Sequence, residues 1–135
     1  MVNMRKVLMD TSVVVDYLRR TDKEKCIFSK IRGVEDMVMS FVSVVELYSG
    51  KSSKQERPRK LIEEIVDSCE VVYIDLETAA DAGMLRRDCQ LSLGDSFVAQ
   101  LALEEGLELA TLDKKAFSRV PGIKFYGVEG KRKGE

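Results

Sequence analysis

The stretch that decides the fold is Lys6-Val7-Leu8-Met9-Asp10-Thr11-Ser12-Val13-Val14-Val15-Asp16-Tyr17-Leu18. Its apolar run Val7-Leu8-Met9 is too short for a helix, as expected of a strand buried on both faces of a parallel sheet. After Asp10 the apolar residues adopt helical spacing, because Val14, Tyr17 and Leu18 stand at i, i+3 and i+4. The sequence therefore predicts a strand that ends at Asp10 and passes directly into a helix.

Asp10 consequently stands at the carboxyl end of an early and central strand. Ligands of open α/β sheets bind in the crevice outside those strand ends, so the position suits a catalytic side chain. The plainer alternative is a helix N-cap, since Asp, Thr and Ser side chains all accept hydrogen bonds from free N–H groups at a helix start. Taken by itself, this stretch favours the cap. The rest of the chain favours a functional role for Asp10.

Length and composition indicate one soluble domain. A chain of 135 residues with 44% hydrophobic content can bury a single core. No apolar run approaches the ~18 residues of a membrane span, and the first residues lead into a strand rather than a signal peptide. We therefore expect a cytoplasmic protein that does not contact a membrane. Residues 1–128 are predicted to form the folded domain, and the basic tail 129–135 is predicted to be disordered.

Two further features of the composition limit the chemistry. The chain contains no histidine, which excludes catalytic triads and ribonuclease mechanisms that depend on an imidazole. Its 22 basic and 23 acidic residues nearly cancel, so any nucleic acid must be bound by a local patch. The three cysteines are odd in number and widely spaced, and we expect them to be reduced thiols.

The remaining pattern alternates short apolar runs with helical spacing. This alternation predicts an α/β fold, with three layers and a four- to five-stranded, mainly parallel sheet joined by right-handed crossovers. The further strands are expected at 37–39, 70–75 and 107–110, with an edge strand at 123–126. Helices are expected at 22–32, 44–48, 61–66, 77–91 and 93–105, and the basic segment 51–60 is expected to be a loop.

Four carboxylates can meet at one edge of such a sheet. Asp10 and Asp113 each follow a strand directly, while Glu46 and Asp95 are expected near the beginnings of helices that border the same edge. Each of them singly is better explained as a cap or as a surface charge. Glu46 nevertheless lies in an apolar segment, where a charge is costly unless it is paired or bound to a metal. The four together favour a common site.

Three segments of the sequence resemble the PIN-domain ribonucleases and, within that family, the small VapC-type toxins of toxin–antitoxin pairs. The resemblance spans nearly the whole chain, and it depends on the order and spacing of motifs that are weak individually. The matching segments are LMDTSVVVD at 8–16, SVVELYSG at 43–50, and GDSFVAQLA at 94–102 followed by GLELATLD at 106–113.

The resemblance implies a metal-dependent endoribonuclease that acts on RNA, forms a homodimer and is neutralised by a VapB-type antitoxin. Clustered carboxylates suit Mg²⁺ or Mn²⁺, which can activate water for in-line attack without a histidine. The family reaction leaves a 5′-phosphate and a 3′-hydroxyl. By the resemblance, Thr11 or Ser12 supports a ligand or the attacking water, and the acidic metal-site residues are Asp10, Glu46, Asp95 and Asp113.

The sequence also allows three other functions to be considered. A phosphoryl-accepting receiver domain could use Asp75, but it would have adjacent acidic residues after the first strand. A haloacid-dehalogenase-like phosphatase would have a carboxylate where this chain has Ser12. A non-catalytic RNA-binding or protein-interaction module is the main rival, and metal-dependent cleavage would distinguish the nuclease from it.

Overall fold

The computed structural model of the chain describes residues 5–127, so the predicted disordered tail lies outside the described residues. Strands and helices alternate along the chain, with short 3-10 turns at Lys23–Lys25 and Lys51–Lys54. The elements are β1 (Lys6–Met9), α1 (Thr11–Arg19), α2 (Ile27–Ile31), β2 (Asp36–Ser40), α3 (Phe41–Ser49), α4 (Glu56–Asp67), β3 (Glu70–Val72), α5 (Leu76–Cys89), α6 (Leu93–Glu105), β4 (Glu108–Ala110) and α7 (Lys114–Phe117).

The four strands form one all-parallel sheet in the order β3-β2-β1-β4. β1 is central, since Leu8 pairs with Val38 of β2 on one side and with Leu109 of β4 on the other. Parallel strands present their carboxyl ends at one edge of the sheet. The α/β fold and the central position of β1 are therefore confirmed.

Helices cover both faces of the sheet because the strand side chains alternate. Val7 and Met9 of β1 pack into a cluster with residues of α1, α2 and α4, including Phe28 and Ile62. Leu8 points to the opposite face, where a second cluster is built from β2, β4 and the helices α5, α6 and α7. These two buried clusters confirm the predicted three-layer arrangement.

Two helix predictions are wrong in detail. The segment 51–60 is mostly helical rather than a loop, because Pro58 is the third residue of α4, where its missing N–H has no helical acceptor to lose. The helix expected at 22–32 is interrupted by the extended backbone of Cys26, which separates a 3-10 turn from α2.

The predicted edge strand at 123–126 is reduced to one bridge between Leu109 and Phe125. The Tyr126 N–H donates to the Leu109 carbonyl at 2.9 Å, and the Leu109 N–H donates to the Lys124 carbonyl at 2.8 Å. β3 is also shorter than expected, since it ends at Val72 rather than at residue 75.

The three cysteines are free thiols. Across residues 5–127, no helix has the length and apolar character that a membrane crossing requires.

Candidate active site

Asp10 lies directly beyond the central strand and is 4% exposed. Its N–H donates to the Ala110 carbonyl at 3.0 Å, so β1 and β4 remain paired up to this residue. Asp10 occupies the N-cap position of α1, but its side chain makes no capping hydrogen bond, so a capping role does not account for the carboxylate. Oδ2 instead accepts from the hydroxyls of Ser12 at 2.7 Å and Thr111 at 2.8 Å. Hydrogen bonds of this kind are what a buried carboxylate requires.

Glu46 reaches the same region from α3. The expectation that it lies near the beginning of a helix is wrong, because α3 already begins at Phe41 with Ser40 as its N-cap, which places Glu46 in the second turn. Its carboxylate lies against Gly94 of α6, so closely that a Cβ on that glycine would collide with Oε2. A glycine at 94 is thus what allows the carboxylate of α3 to lie over the start of α6.

Asp95 lies in the first turn of α6, as predicted, behind the N-cap Ser92, whose hydroxyl accepts from the Asp95 N–H at 3.1 Å. The pKa of the Asp95 carboxyl is raised, first by partial burial and then by the negative charge of Asp10, with a smaller contribution from Asp113. The negative charges of two other predicted site residues therefore act on Asp95.

Asp113 combines two roles. Its carboxylate accepts from the Ala116 N–H at 3.3 Å and caps the short helix α7, so the cap interpretation of this residue holds. Its own N–H donates to the Thr111 hydroxyl at 3.0 Å. Its charge nevertheless contributes to the raised pKa of Asp95. Asp113 lies at the exposed rim of the cluster.

Negative charges within the group of four carboxylates affect the pKa values of Glu46 and Asp95. The pKa of Glu46 is raised by desolvation, then by the charges of Asp10 and Asp95, while a hydrogen bond from Thr11 opposes the shift. The Thr11 hydroxyl lies 3.5 Å from Glu46 Oε1, which is long for a hydrogen bond. Both pKa increases therefore combine lost hydration, the larger cause, with repulsion between like charges, and a bound cation would offset the repulsion.

The donor set fits a hard divalent cation. In residues 5–127, no three acidic or thiol side chains are close enough together to coordinate one ion as they stand. Mg²⁺ does not require such a cage, because it usually keeps several waters and binds one or two carboxylates. The Glu46 carboxylate lies in the space that Gly94 leaves open, and all the ligand atoms that the four residues offer are carboxylate oxygens. Both features agree with that mode of binding.

The sequence reasoning missed one residue of this site, Thr111. It is 3% exposed, it hydrogen-bonds to Asp10 and to the backbone of Asp113, and its hydroxyl lies 3.3 Å from that of Ser12. The register pairs Met9 with Ala110, so Asp10 and Thr111 occupy corresponding positions beyond neighbouring strands. The sequence did contain one signal for Thr111, because it is a polar residue directly after the apolar end of a strand.

The receiver alternative is not supported by Asp75. This residue is the N-cap of α5 and accepts from the Thr78 N–H at 2.8 Å, a contact that lowers the pKa of its carboxyl. It also follows β3, which lies at the edge of the sheet. An acceptor carboxylate would lie beyond a central strand, where this chain has Asp10.

Comparisons with known proteins agree with the geometry. A family model described as the PIN domain matches residues 7–123. Ribonuclease VapC1 of Methanocaldococcus jannaschii is 30% identical over 129 residues, covering 90% of this chain and 87% of that protein. Among solved structures, DNA-bound VapBC from Salmonella typhimurium aligns with a TM-score of 0.75 at 23% identity, covering 91% of this chain and 98% of that one. VapBC2 from Rickettsia felis, bound to a promoter DNA fragment, aligns with a TM-score of 0.72 at 17% identity, covering 90% and 97%.

Proposed function

Because the chain belongs to the PIN-domain family, we propose that it is a metal-dependent endoribonuclease and the toxin of a toxin–antitoxin pair. The observation that carries the proposal is the placement of the carboxylates at one edge of the sheet: Asp10 directly beyond β1, Asp113 beyond β4, and Glu46 against the first turn of α6, which carries Asp95. The relative with 30% identity is a ribonuclease, and the aligned VapBC structures supply the analogy for the toxin role.

The residues that would hold Mg²⁺ or Mn²⁺, one or two of them directly and the others through water, are the four carboxylates, Asp10, Glu46, Asp95 and Asp113. Both hydroxyls that bond Asp10 share its Oδ2, and among the described residues Oδ1 receives no hydrogen bond. Oδ1 is therefore the Asp10 oxygen available to a ligand. A bound ion would polarise a water and offset charge on the phosphodiester during in-line attack.

The neighbouring hydroxyls have different parts in this proposal. Ser12 donates to Asp10 Oδ2 and accepts from the Leu112 N–H at 3.1 Å, so it orients the carboxylate. Thr11 is half-buried, and its hydroxyl makes one long contact in the described part of the chain, to Glu46. Its hydroxyl remains available to a water or to a phosphate oxygen of RNA.

The test is RNA cleavage by the purified protein with Mg²⁺ or Mn²⁺ and with EDTA, followed by analysis of the product ends. Cleavage that requires the ion and leaves a 5′-phosphate and a 3′-hydroxyl supports the proposal. Undiminished cleavage in excess EDTA, or products with a 2′,3′-cyclic phosphate, would overturn it. RNA binding without cleavage would favour the non-catalytic PIN-like module.

The proposed partner is a VapB-type antitoxin that blocks the acidic site in the cytoplasm. An arginine is the side chain best suited to the contact, because its planar fork matches a carboxylate in two parallel hydrogen bonds. Unchanged affinity of a co-purified partner after all four carboxylates are neutralised would contradict this mode of inhibition.

The proposed assembly is a homodimer, and one exposed apolar surface supports it. Phe41, Val45 and Tyr48 lie exposed at i, i+4 and i+7 on α3. The Phe41 ring extends this α3 surface by contacting exposed Tyr73, with ring centroids 5.0 Å apart. Contiguous exposed apolar patches of this kind mark interaction sites.

A further inference from the structure

Thr111 occupies the centre of the hydrogen-bond network beneath the carboxylates. Its hydroxyl donates to Asp10 Oδ2 at 2.8 Å and accepts from the Asp113 N–H at 3.0 Å. The side chain is 3% exposed, so it is not positioned to contact an RNA substrate directly. Its contacts nevertheless join two of the four proposed metal-site residues, which come from the ends of different strands.

The available protons determine the direction of these bonds. A hydroxyl has one proton to donate, and the Ser12 and Thr111 hydroxyls each lie within 2.8 Å of Asp10 Oδ2. The contact between the two hydroxyls is longer, at 3.3 Å. Bonds to a charged acceptor are shorter and stronger than neutral ones, so both protons point to Oδ2.

Each hydroxyl then accepts from the loop between β4 and α7. Ser12 accepts from the Leu112 N–H, and Thr111 accepts from the Asp113 N–H. Removing the Thr111 hydroxyl would take one donor from Asp10 and leave the Asp113 N–H without this acceptor. One side chain therefore restrains both the Asp10 carboxylate and the backbone that carries Asp113.

We propose that Thr111 is a positioning residue, whose hydroxyl fixes Asp10 through Oδ2, so that Oδ1 would be open to a divalent cation, and holds Asp113 at the rim of the site. This inference rests on the proposed function. It adds a residue that touches neither RNA nor the cation and acts through Asp10 and Asp113.

The purely structural alternative is that Thr111 only stabilises the loop. Thr78 provides a matched control, because it is another buried threonine whose hydroxyl donates to a carboxylate, that of Glu104, at 2.9 Å. Glu104 is about 13 Å from Asp95 along α6 by helical rise. Replacing either threonine by valine removes a hydrogen bond from a buried residue to a carboxylate, but only Thr111 contacts the site.

The experiment measures Mn²⁺ affinity by titration calorimetry, together with thermal melts, for the parent and for Thr111→Val, Thr111→Ser, Thr111→Ala and Thr78→Val. Loss of a partner that orients a metal ligand typically costs 10–100-fold in affinity, so Thr111→Val and Thr111→Ala should bind Mn²⁺ at least about tenfold more weakly. Thr111→Ser keeps the hydroxyl and should recover most of that loss. Thr78→Val should melt at a lower temperature yet bind Mn²⁺ like the parent.

The outcomes separate this inference from the proposed function. If the parent binds Mn²⁺ and cleaves RNA while folded Thr111→Val or Thr111→Ala binds the ion equally well, the positioning role is overturned and the nuclease assignment stands. Equal weakening by Thr78→Val would also overturn it, because the effect would then follow general stability. A parent that neither binds Mn²⁺ nor cleaves RNA would overturn both.

Discussion

At the scale of single residues, the decisive feature is the asymmetry of Asp10, whose side-chain hydrogen bonds within residues 5–127 all go to Oδ2. Asp10→Asn tests this asymmetry, because an amide carbonyl in place of Oδ2 can still accept both hydroxyls. The NH₂ group then replaces Oδ1 and cannot bind a cation. We expect cleavage to fall by more than the ~100-fold that loss of a supporting partner costs. Stability should stay within about 1 kcal/mol of the parent.

Cleavage rates and chemical denaturation measure the two effects. Asp16→Asn is the matched control, because Asp16 also lies near the start of the chain but pairs with Arg20 at 3.3 Å and contacts none of the four carboxylates in the structure. Its activity should equal that of the parent. Parent-like cleavage by Asp10→Asn would remove Asp10 from the site.

Glu46→Gln tests the repulsion within the cluster. The pKa of Glu46 is raised in the fold by desolvation and then by Asp10 and Asp95. A carboxyl whose pKa is higher in the folded than in the unfolded state costs stability when ionised, and this cost disappears as the pH falls through the raised pKa. In EDTA, the variant should therefore be more stable than the parent at neutral pH, by about 1 kcal/mol or less because the group is exposed to water.

Denaturation in EDTA over a pH series measures this difference, which should shrink toward acid. Glu64→Gln, on the exposed face of α4, should show no comparable trend. A Glu46→Gln variant less stable than the parent at neutral pH would mean that Glu46 is not repelled by its neighbours.

The sequence could predict residue types and strand exits, but not hydrogen-bond partners. Asp10 followed by a helix favours a cap, and only the pairing of β1 with β4 brings Thr111 beside it. That pairing joins parts of the chain far apart in sequence. The local sequence pattern therefore identifies the Asp10 carboxylate but not the Thr111 hydroxyl that donates to it.

At the scale of the elements, the Glu46 carboxylate of α3 can lie against the start of α6 because residue 94 is a glycine. Gly94→Ala should displace the Glu46 carboxylate, which is the flexible end of its side chain and can move at little cost. Helix propensity favours alanine by about 1 kcal/mol, so stability should be unchanged or slightly higher. We expect cleavage to fall about tenfold, since a displacement of ~1 Å at a site can cost more than that.

Gly83→Ala is the matched control for this prediction. Gly83 lies within α5, and a Cβ there would meet nothing within 4 Å. This variant should gain stability by about 1 kcal/mol and keep parent activity. Equal activity of the two alanine variants in the cleavage assay would show that the contact between Glu46 and Gly94 has no functional role.

Element boundaries were predictable where apolar spacing was regular and failed where a single residue decided them. β1, α1 and α6 follow the hydrophobic pattern closely. The segment 51–60 contains Pro58, which a propensity rule reads against a helix although the first turn of α4 tolerates it. Cys26 interrupts a regular apolar stripe with an extended backbone that no composition rule indicates.

At the scale of the whole molecule, the proposed homodimer depends on the exposed face of α3. Val45→Glu places a charge at the middle of this surface, and across a two-fold interface it would bring like charges together. We expect the parent to sediment with twice the mass of one chain and the variant with the mass of one chain.

Analytical ultracentrifugation distinguishes these states. Val34→Glu is the control, because Val34 is also exposed but precedes β2 at the opposite end of the sheet. That variant should remain dimeric. A monomeric parent, or dissociation caused equally by both substitutions, would count against the α3 surface as the interface.

The three-layer architecture was predictable because alternating strand and helix patterns leave few ways to bury both faces of a sheet. The topology explains why the four carboxylates lie near the same edge of the sheet, where the parallel strands end. How closely they approach one another does not, because it depends on the packing of α3 against α6 and on the glycine between them.

The central claim is that these carboxylates bind a divalent cation, and anomalous diffraction from crystals soaked in Mn²⁺ tests it most directly. We predict an anomalous peak beside Asp10 Oδ1, in contact with at least one carboxylate of Asp95 or Glu46, and its disappearance in Asp10→Asn crystals. The Mn–O distances should be close to the ~2.1 Å of the related Mg²⁺ sites. An empty cluster in crystals that hold Mn²⁺ elsewhere, or a peak unaffected by Asp10→Asn, would contradict the account.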